Sequence, residues 1–164
     1  MSRPERPAAA RVLGTADLQE ILRVERRLGR KVVFTNGCFD LLHTGHLRLL
    51  EAAAALGELL VVGLNHDDSI RRLKGPDRPF QPFDERAELL AGLEAVDYVV
   101  GFGEDTPAAL IDAVVPDILV KGGDWALDEI VGRETVEAAG GRVVTVQLVA
   151  GQSTTNLVEK IRAT

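Results

Sequence analysis

The chain has little cysteine, few aromatic residues and no long apolar run among its 164 residues. A single cysteine, Cys38, excludes an intrachain disulfide framework and indicates a reducing compartment. No apolar run approaches the roughly 20 residues that span a bilayer, and the N-terminus has no secretory core. Basic character is lacking too, because the net charge is −6. We therefore expect a cytoplasmic protein with no membrane or nucleic-acid partner.

The chain does have an ordinary apolar fraction of 46% and a regular alternation of strand and helix patterns. Short β-rich runs predict strands at 31–36, 59–64, 97–100, 117–120 and 142–146. Helical spacing predicts helices at 15–28, 45–56, 67–73, 83–93, 106–114, 128–139 and 153–162. This alternation predicts an α/β fold, a doubly wound sheet of about five parallel strands. We expect residues 1–29 to be an N-terminal tail and helix, irregular up to about residue 12, and residues 30–164 to form the one domain.

A histidine pair follows the first predicted strand, in Asn36-Gly-Cys-Phe-Asp-Leu-Leu-His-Thr-Gly-His46. The pair opens a helix, whose unpaired N–H groups suit phosphate. The spacing of His43 and His46 lets both imidazoles address one anion, and Gly45 allows a bulky group close to the backbone. A metal site and a plain surface pair are the alternatives, but acidic candidates for further ligands are scattered and the strand-to-helix context favours phosphate.

Ligands of such sheets bind beyond the carboxyl ends of the strands, which directs attention to further segments. Lys121 directly follows the strand predicted at 117–120. Lys74 and Arg78 lie in a proline-interrupted loop that can close over phosphates, although a solvated lysine is the alternative for Lys74. Ser153 is either a phosphate ligand or a plain helix cap. Cys38 has no general base at a recognisable spacing, so a small buried thiol is the better interpretation.

Two of these segments resemble the signatures of the cytidylyltransferase-like nucleotidyltransferases: residues 36–46 the first and Gly151-Gln-Ser-Thr-Thr-Asn156 the second. Within that family the chain is most similar to the D-glycero-β-D-manno-heptose 1-phosphate adenylyltransferases. Three segments carry this closer resemblance: Arg72-Leu-Lys-Gly75, Leu119-Val-Lys-Gly-Gly-Asp124 and Ser153-Thr-Thr-Asn156. The resemblance covers about residues 30–163, and without a kinase domain the chain resembles the stand-alone form.

The resemblance implies the Rossmann-like HxGH nucleotidyltransferase fold and a reaction of EC class 2.7.7. AMP passes from ATP, with Mg²⁺, to D-glycero-β-D-manno-heptose 1-phosphate, giving ADP-heptose and pyrophosphate without a covalent enzyme intermediate. The product belongs to carbohydrate metabolism and supplies lipopolysaccharide or another heptoside. The resemblance also implies a homodimer.

The same resemblance implies roles for individual residues. The implied catalytic residues are His43, His46 and Lys74. The histidines would stabilise the α-phosphate best in their charged form. The implied nucleotide-binding residues are Phe34, Thr35, Asn36, Gly37, Cys38, Phe39, Gly45, Ser153, Thr154 and Thr155. The implied substrate-binding residues are Asp40, Arg78, Lys121, Gly122, Asp124 and Trp125.

Some of these roles stay open at this stage. The protein alone is expected to hold no metal, and Asp124 contacts the sugar hydroxyls, the ribose or the Mg²⁺ of the nucleotide. Trp125 either lines the sugar site or merely packs. Arg86 either matches an arginine of the family or forms a structural ion pair.

Other functions remain as alternatives. One is a cytidylyltransferase acting on glycerol 3-phosphate or a similar polyol or amino-alcohol phosphate, but residues 148–151 lack the arginine usual in those relatives. A non-catalytic nucleotide-binding module would release no pyrophosphate. A metal-dependent hydrolase using the two histidines would release phosphate without a second substrate.

Overall fold

The computed structural model describes residues 6–123 and 125–164. Its strands are β1 (Val12–Leu13), β2 (Val32–Gly37), β3 (Leu59–Asn65), β4 (Tyr98–Phe102), β5 (Ile118–Gly122) and β6 (Arg142–Val146). Its α-helices are α1 (Thr15–Arg27), α2 (Thr44–Ala54), α3 (Asp67–Lys74), α4 (Phe83–Gly92), α5 (Ala108–Val114), α6 (Arg133–Ala138) and α7 (Thr154–Arg162). Short 3₁₀ helices lie at Ala8–Arg11 and Leu127–Glu129. The predicted α/β alternation is confirmed.

The strands form one parallel sheet in the order β1-β4-β3-β2-β5-β6. The chain builds outward from β2 through β3 to β4, then returns to the other side of β2 with β5 and β6. The order therefore reverses between β3 and β5, at β2. Crevices that bind ligands in such sheets lie beyond the carboxyl ends of the strands at this point.

Helices cover both faces of the sheet, as the doubly wound prediction requires. On one face α1, α5 and α6 bury Leu18, Leu22, Ile111 and Val136. On the other face α2 and α4 bury residues that include Leu50, Ala53 and Leu90. All seven residues of β3 are buried, which explains why this segment is a continuous apolar run rather than an alternating one.

The N-terminal segment differs from the sequence expectation. Residues 8–13, expected to be mostly irregular tail, form a 3₁₀ helix and the edge strand β1, in which Val12 pairs with Val99 and Leu13 with Val100. The sheet therefore has six strands rather than five. A two-residue strand has no periodicity that a sequence pattern could reveal.

The helix predicted at 128–139 is also interrupted. The chain forms the turn Leu127–Glu129 and then α6, with Gly132 at a φ of +87° between them. That backbone conformation lies in the left-handed region, which glycine adopts without strain and which ends a helix.

Within the described ranges, no helix combines the length and apolar content that a bilayer crossing needs.

Candidate active site

A cavity of about 440 Å³ opens beyond the carboxyl ends of β2 and β5, where the strand order reverses. Its lining residues are Asn36, Gly37, Cys38, Phe39, Asp40, His46, Leu49, Lys74, Arg78, Lys121, Gly122, Trp125, Leu148 and Thr154. All of these except Leu49 and Leu148 are residues that the sequence places in the site. We call this space the first cavity.

The two histidines lie at the start of α2, where His43 is the N-cap residue. Their rings stack with centroids 3.8 Å apart and planes inclined by 21°. The backbone N–H of His43 donates to Nδ1 of His46 over a long 3.4 Å, so that Nε2 carries the proton of a neutral His46. His46 lines the first cavity, whereas His43, also predicted to be catalytic, stacks on His46 and does not line it.

Gly45 separates the two histidines because no larger residue fits. A Cβ there would lie 2.9 Å from Cε1 and Nδ1 of His43 and from Cβ of Gln152. The close packing of these groups keeps the stacked rings at the helix start, where unpaired N–H groups favour anions.

Burial makes both histidines weaker bases than free histidine. Burial lowers the pKa of His43, and burial together with the neighbouring His43 and Lys74 lowers the pKa of His46 to about 4. Both rings are therefore neutral at pH 7 in the ligand-free protein. The charged form expected from the sequence requires a bound anion, because a nearby phosphate raises the pKa of histidine.

Cys38 and Phe39 form the turn between β2 and the histidines. Phe39 has a φ of +43°, in the left-handed region, and its ring centroid lies 5.1 Å from that of His46. Burial raises the pKa of the Cys38 thiol, so that it stays protonated at pH 7. This agrees with the interpretation of Cys38 as a small thiol rather than a nucleophile.

Asp40 anchors the loop that carries Arg78. Its carboxylate accepts hydrogen bonds from Nε of Arg78 at 2.7 Å and from the backbone N–H groups of Phe80 at 2.8 Å and Gln81 at 3.1 Å. Burial alone would raise the pKa of Asp40, but these hydrogen bonds outweigh it and lower the pKa. The sequence predicts that Asp40 contacts the substrate. In the structure, protein donors occupy its carboxylate oxygens, and Asp40 holds Arg78 against the cavity.

Two lysines contribute to the cavity wall. Lys74 is exposed and is the last residue of α3, so it precedes the proline-interrupted loop instead of lying within it. Lys121, at the end of β5, donates from Nζ to Oδ1 of Asn36 at 2.5 Å and so links β5 to β2. Burial lowers the pKa of Lys121 to about 8.

Arg86 forms the structural ion pair that is one of its two interpretations. Its side chain is fully buried, and Nη2 contacts Oδ1 of Asp67 at 2.6 Å. Nη1 donates to the carbonyl oxygens of Cys38 and Asn65, and Nε donates to that of Gln81. Arg86 therefore ties together the segments after β2 and β3 and the end of the loop that carries Arg78.

Two residues predicted to bind nucleotide lie beneath the first cavity. Phe34 is fully buried in the core below the sheet. Thr35 is buried as well, and its hydroxyl donates to the carbonyl oxygen of Val120 at 3.0 Å. Both belong to β2, in which successive side chains point to opposite faces of the sheet, and neither side chain lines the cavity.

Three adjacent residues of the second signature have different surroundings in the structure. Ser153 caps α7, because its hydroxyl accepts from the backbone N–H of Asn156 at 3.0 Å. Thr154 lines the first cavity, and its hydroxyl donates to the carbonyl oxygen of Leu41 at 3.2 Å. Thr155 is exposed and does not line the cavity. Asp124 lies outside the described residues.

The sequence analysis missed the two apolar lining residues. Leu49 lies on α2 one turn after His46, and Leu148 follows β6. A leucine at helical spacing has the same pattern whether it faces the core or a ligand, so neither carried a distinguishing signal. Among residues 6–123 and 125–164, no group of three or more His, Cys, Asp or Glu side chains is arranged to hold a metal ion.

Comparison with known proteins gives a family match over most of the chain. The family model described as cytidylyltransferase-like matches residues 34–160. Bifunctional protein HldE of Syntrophotalea carbinolica is 60% identical over 144 residues, which are 88% of this chain and 29% of HldE. HldE of Geobacter sulfurreducens is 56% identical over 152 residues, 93% of this chain and 31% of that protein. The chain thus spans about a third of the length of these curated relatives.

Solved structures support the same fold. A lipopolysaccharide core biosynthesis protein from Thermoplasma volcanium GSS1 has a TM-score of 0.59 and 30% identity, covering 73% of this chain and 97% of that one. Pantoate-beta-alanine ligase from Francisella tularensis has a TM-score of 0.57, covering 93% of this chain and 79% of that one. Its 11% identity supports the fold alone.

Proposed function

Because this chain belongs to the cytidylyltransferase-like family, we propose that it transfers AMP from ATP to D-glycero-β-D-manno-heptose 1-phosphate, releasing pyrophosphate and forming ADP-heptose. The observation that carries the proposal is the first cavity at the reversal of strand order, where His46, Lys74, Arg78 and Lys121 converge beside the start of α2. Such a set of donors suits a triphosphate and a second phosphate.

The reaction follows from positioning and charge stabilisation. A phosphate oxygen of the acceptor attacks the α-phosphorus of ATP, a new oxygen–phosphorus bond forms, and the bond to the pyrophosphate oxygen breaks. His46 donates from Nε2 to an α-phosphate oxygen, and His43 holds its ring in place. As negative charge collects on those oxygens, the pKa of His46 rises and favours the imidazolium.

The cationic side chains divide the remaining work. Lys74, exposed at the end of α3, covers the leaving pyrophosphate, and Arg78 is held toward the cavity by Asp40. Lys121 lies at the cavity floor, where it orients the acceptor phosphate. Holding both reactants in line accounts for much of the rate enhancement in reactions of this class.

Mg²⁺ is proposed to enter with ATP. Magnesium is usually bound through substrate phosphates and one or two carboxylates rather than by a cage of protein ligands. The described lining fits that arrangement, because it presents the cationic groups of Lys74, Arg78 and Lys121 and the amide of Asn36 toward the phosphates. The ion would neutralise charge on the triphosphate.

The choice of a heptose phosphate as the acceptor is supported by sequence segments of this chain and by its relatives. The three segments around Lys74, Lys121 and Ser153 resemble those of the heptose 1-phosphate adenylyltransferases. The matches to HldE and to a lipopolysaccharide core biosynthesis protein favour the same acceptor. We further propose that the enzyme acts in the cytoplasm. We also propose that it is a homodimer, and light scattering of the purified protein would measure its molar mass.

The proposal is tested by pyrophosphate release with Mg²⁺, comparing ATP, CTP, GTP and UTP against the heptose 1-phosphate and glycerol 3-phosphate. ATP with the heptose phosphate is expected to be the active pair, and His46→Ala to lower kcat by about 10²–10³-fold. His66→Gln is the matched control, because His66 packs on Phe83 away from the first cavity. Preference for CTP and glycerol phosphate would support the cytidylyltransferase alternative, and nucleotide binding without any pyrophosphate would contradict an enzyme for these acceptors.

A further inference from the structure

A second, smaller cavity adjoins the first. It has a volume of about 180 Å³ and lies beyond the ends of β4 and β5. Lys121 and Trp125 line both cavities and so form their shared wall. A ligand that contacts Lys121 in the first cavity therefore lies next to the second.

The two cavities differ in chemistry. The first contains the cationic and imidazole groups that suit phosphate. The second is lined by the apolar residues Pro107, Ile130 and Val131, and by the carboxylates of Asp105 and Glu129 and the hydroxyl of Thr106. Lys121 is the only cation in its lining. The oxygen atoms of Asp105, Glu129 and Thr106 accept hydrogen bonds from hydroxyl groups, and the carboxylate of Glu129 repels a phosphate.

Two contacts hold the polar wall in position. Nε of Arg72 pairs with Oδ1 of Asp105 at 2.8 Å, and Nη2 donates to the carbonyl oxygen of Gly103. Arg72 thereby orders the segment after β4 and leaves Oδ2 of Asp105 as an acceptor. The indole N–H of Trp125 donates to the carbonyl oxygen of Gly122 at 3.0 Å, which fixes a ring that remains 51% exposed.

We propose that the second cavity binds the hydroxyl-bearing ring of the acceptor sugar, while the acceptor's phosphate lies in the first cavity at Lys121. This inference rests on the proposed function and adds Asp105, Thr106 and Glu129 as residues that select the acceptor. The volume supports it: sites for complete ligands measure about 300–1,000 Å³, so a space of about 180 Å³ suits one fragment such as a sugar ring.

The charge pattern also sets the direction of binding. A sugar phosphate has one anionic end and one polyol end. Its anionic end is attracted by the cationic groups of the first cavity and repelled by the carboxylate of Glu129 in the second. The acceptor therefore presents its phosphate, and not a hydroxyl, to the α-phosphorus of ATP.

The kinetic test compares Asp105→Ala and Glu129→Ala with the wild type in the pyrophosphate assay. Loss of a hydrogen bond to a charged group is expected to raise KM for the heptose phosphate about tenfold in each variant. The KM for ATP is expected to stay within about twofold. Asp68→Ala is the matched control, because Asp68 is also an exposed aspartate paired with an α3 arginine, Arg71, but lines neither cavity.

A binding test works without turnover. Trp125 is the only tryptophan in the chain, so its fluorescence reports on the shared wall alone. Titration with the heptose 1-phosphate is expected to change the emission, with a midpoint about tenfold higher in Asp105→Ala and Glu129→Ala. Inorganic phosphate, which has no polyol end, is expected to give the same midpoint in the wild type and in both variants.

The outcomes separate this inference from the proposed function. If the wild type turns over the heptose phosphate and both variants keep its KM and midpoint, the sugar-binding role is wrong and the function stands. If the wild type releases no pyrophosphate but the fluorescence midpoint shifts in the variants, the function is wrong and the sugar-binding role stands. If neither turnover nor a shifted midpoint is observed, both are overturned.

Discussion

The properties of His46 depend on what occupies the first cavity. In the ligand-free protein its ring is partly buried, stacks on His43 and has a pKa of about 4. A neutral ring that gains a proton when phosphate arrives couples nucleotide binding to proton uptake. The i, i+3 histidine pattern predicts the position of these rings, but their protonation depends on burial that the sequence does not display.

We expect an NMR titration to find His46 with a pKa near 4 in the free protein and a distinctly higher pKa with Mg²⁺ and ATP. The chain has only three histidines, so His46→Asn assigns the signal directly. Because the folded pKa lies below that of an unfolded histidine, the unfolded chain binds more protons between about pH 4 and 6.5. His46 should therefore reduce the stability of the wild type as the pH falls through this window, and a urea midpoint that falls as steeply in His46→Asn would contradict this.

Lys121 gives a second pH effect at the residue scale. Its pKa of about 8 means that it loses its charge in the free protein just above neutral pH. If it contacts phosphate, the affinity for the heptose phosphate should fall as the pH rises above about 8, by up to about tenfold per pH unit.

Lys121→Arg supplies the comparison, because arginine stays charged at these pH values. The fall above pH 8, measured by Trp125 fluorescence, should be absent in that variant. An identical pH profile in the two proteins would show that Lys121 does not bind the acceptor phosphate.

At the scale of elements, the cavity walls are held together by one buried side chain. Arg86, on α4, bonds to the carbonyl oxygens of Cys38, Asn65 and Gln81 and pairs with Asp67. These partners come from three different segments of the chain, all at the carboxyl end of the sheet. Arg86 thus fixes the distance between the histidine turn and the loop that carries Arg78, without lining the cavity.

Arg86→Ala is expected to lower the free energy of unfolding by about 3–5 kcal/mol, because it leaves several buried acceptors without a donor. Chemical denaturation measures the loss. Arg133→Ala is the control, since Arg133 pairs with Glu137 on the surface and should change stability by about 0.5 kcal/mol or less. If Arg86→Ala does not fold, Arg86→Lys should fold with an intermediate loss, and wild-type stability in either variant would contradict the role.

The elements themselves were largely predictable from the sequence. Strand runs such as 59–64 and the amphipathic helices have the expected periodicity, and Ser153 caps α7 where the sequence allows a cap. β1 was missed because its pairing with β4 joins distant parts of the chain. The split at Gly132 was missed because an isolated glycine is often tolerated within a helix.

The positions of the site residues along the chain were predictable from the sequence, but their hydrogen-bond partners were less so. Residues that directly follow β2 and β5 line the cavity because parallel strands end at one edge, which the sequence pattern shows. The hydrogen bonds that engage Asp40 and the burial of Thr35 arise from tertiary contacts between separate segments. No spacing rule within one segment reveals such contacts.

For the whole molecule, nucleotide binding should stabilise the fold. A ligand at one hundred times its Kd adds about 2.7 kcal/mol, which corresponds to a rise in Tm of about 5–10 °C for a protein of this size. Mg²⁺ with ATP should produce that rise in differential scanning fluorimetry, and CTP a smaller one. His46→Ala should reduce the shift with ATP, and an equal shift with all four nucleotides would contradict adenine selectivity.

The place of β2 in the sheet has a consequence for the growing chain. On the ribosome β3 and β4 follow β2 directly, whereas Lys121 is 85 residues later than its partner Asn36. At about 5–20 residues per second, synthesis of that interval takes about 4–17 s. During this time the histidine turn is already made, but one edge of β2 has no neighbour and can pair with another nascent chain. Arrival of β5 closes that edge and brings Lys121 to the cavity, so protection of β2 from aggregation begins before Leu148 and Thr154, which come later in the chain, complete the cavity lining.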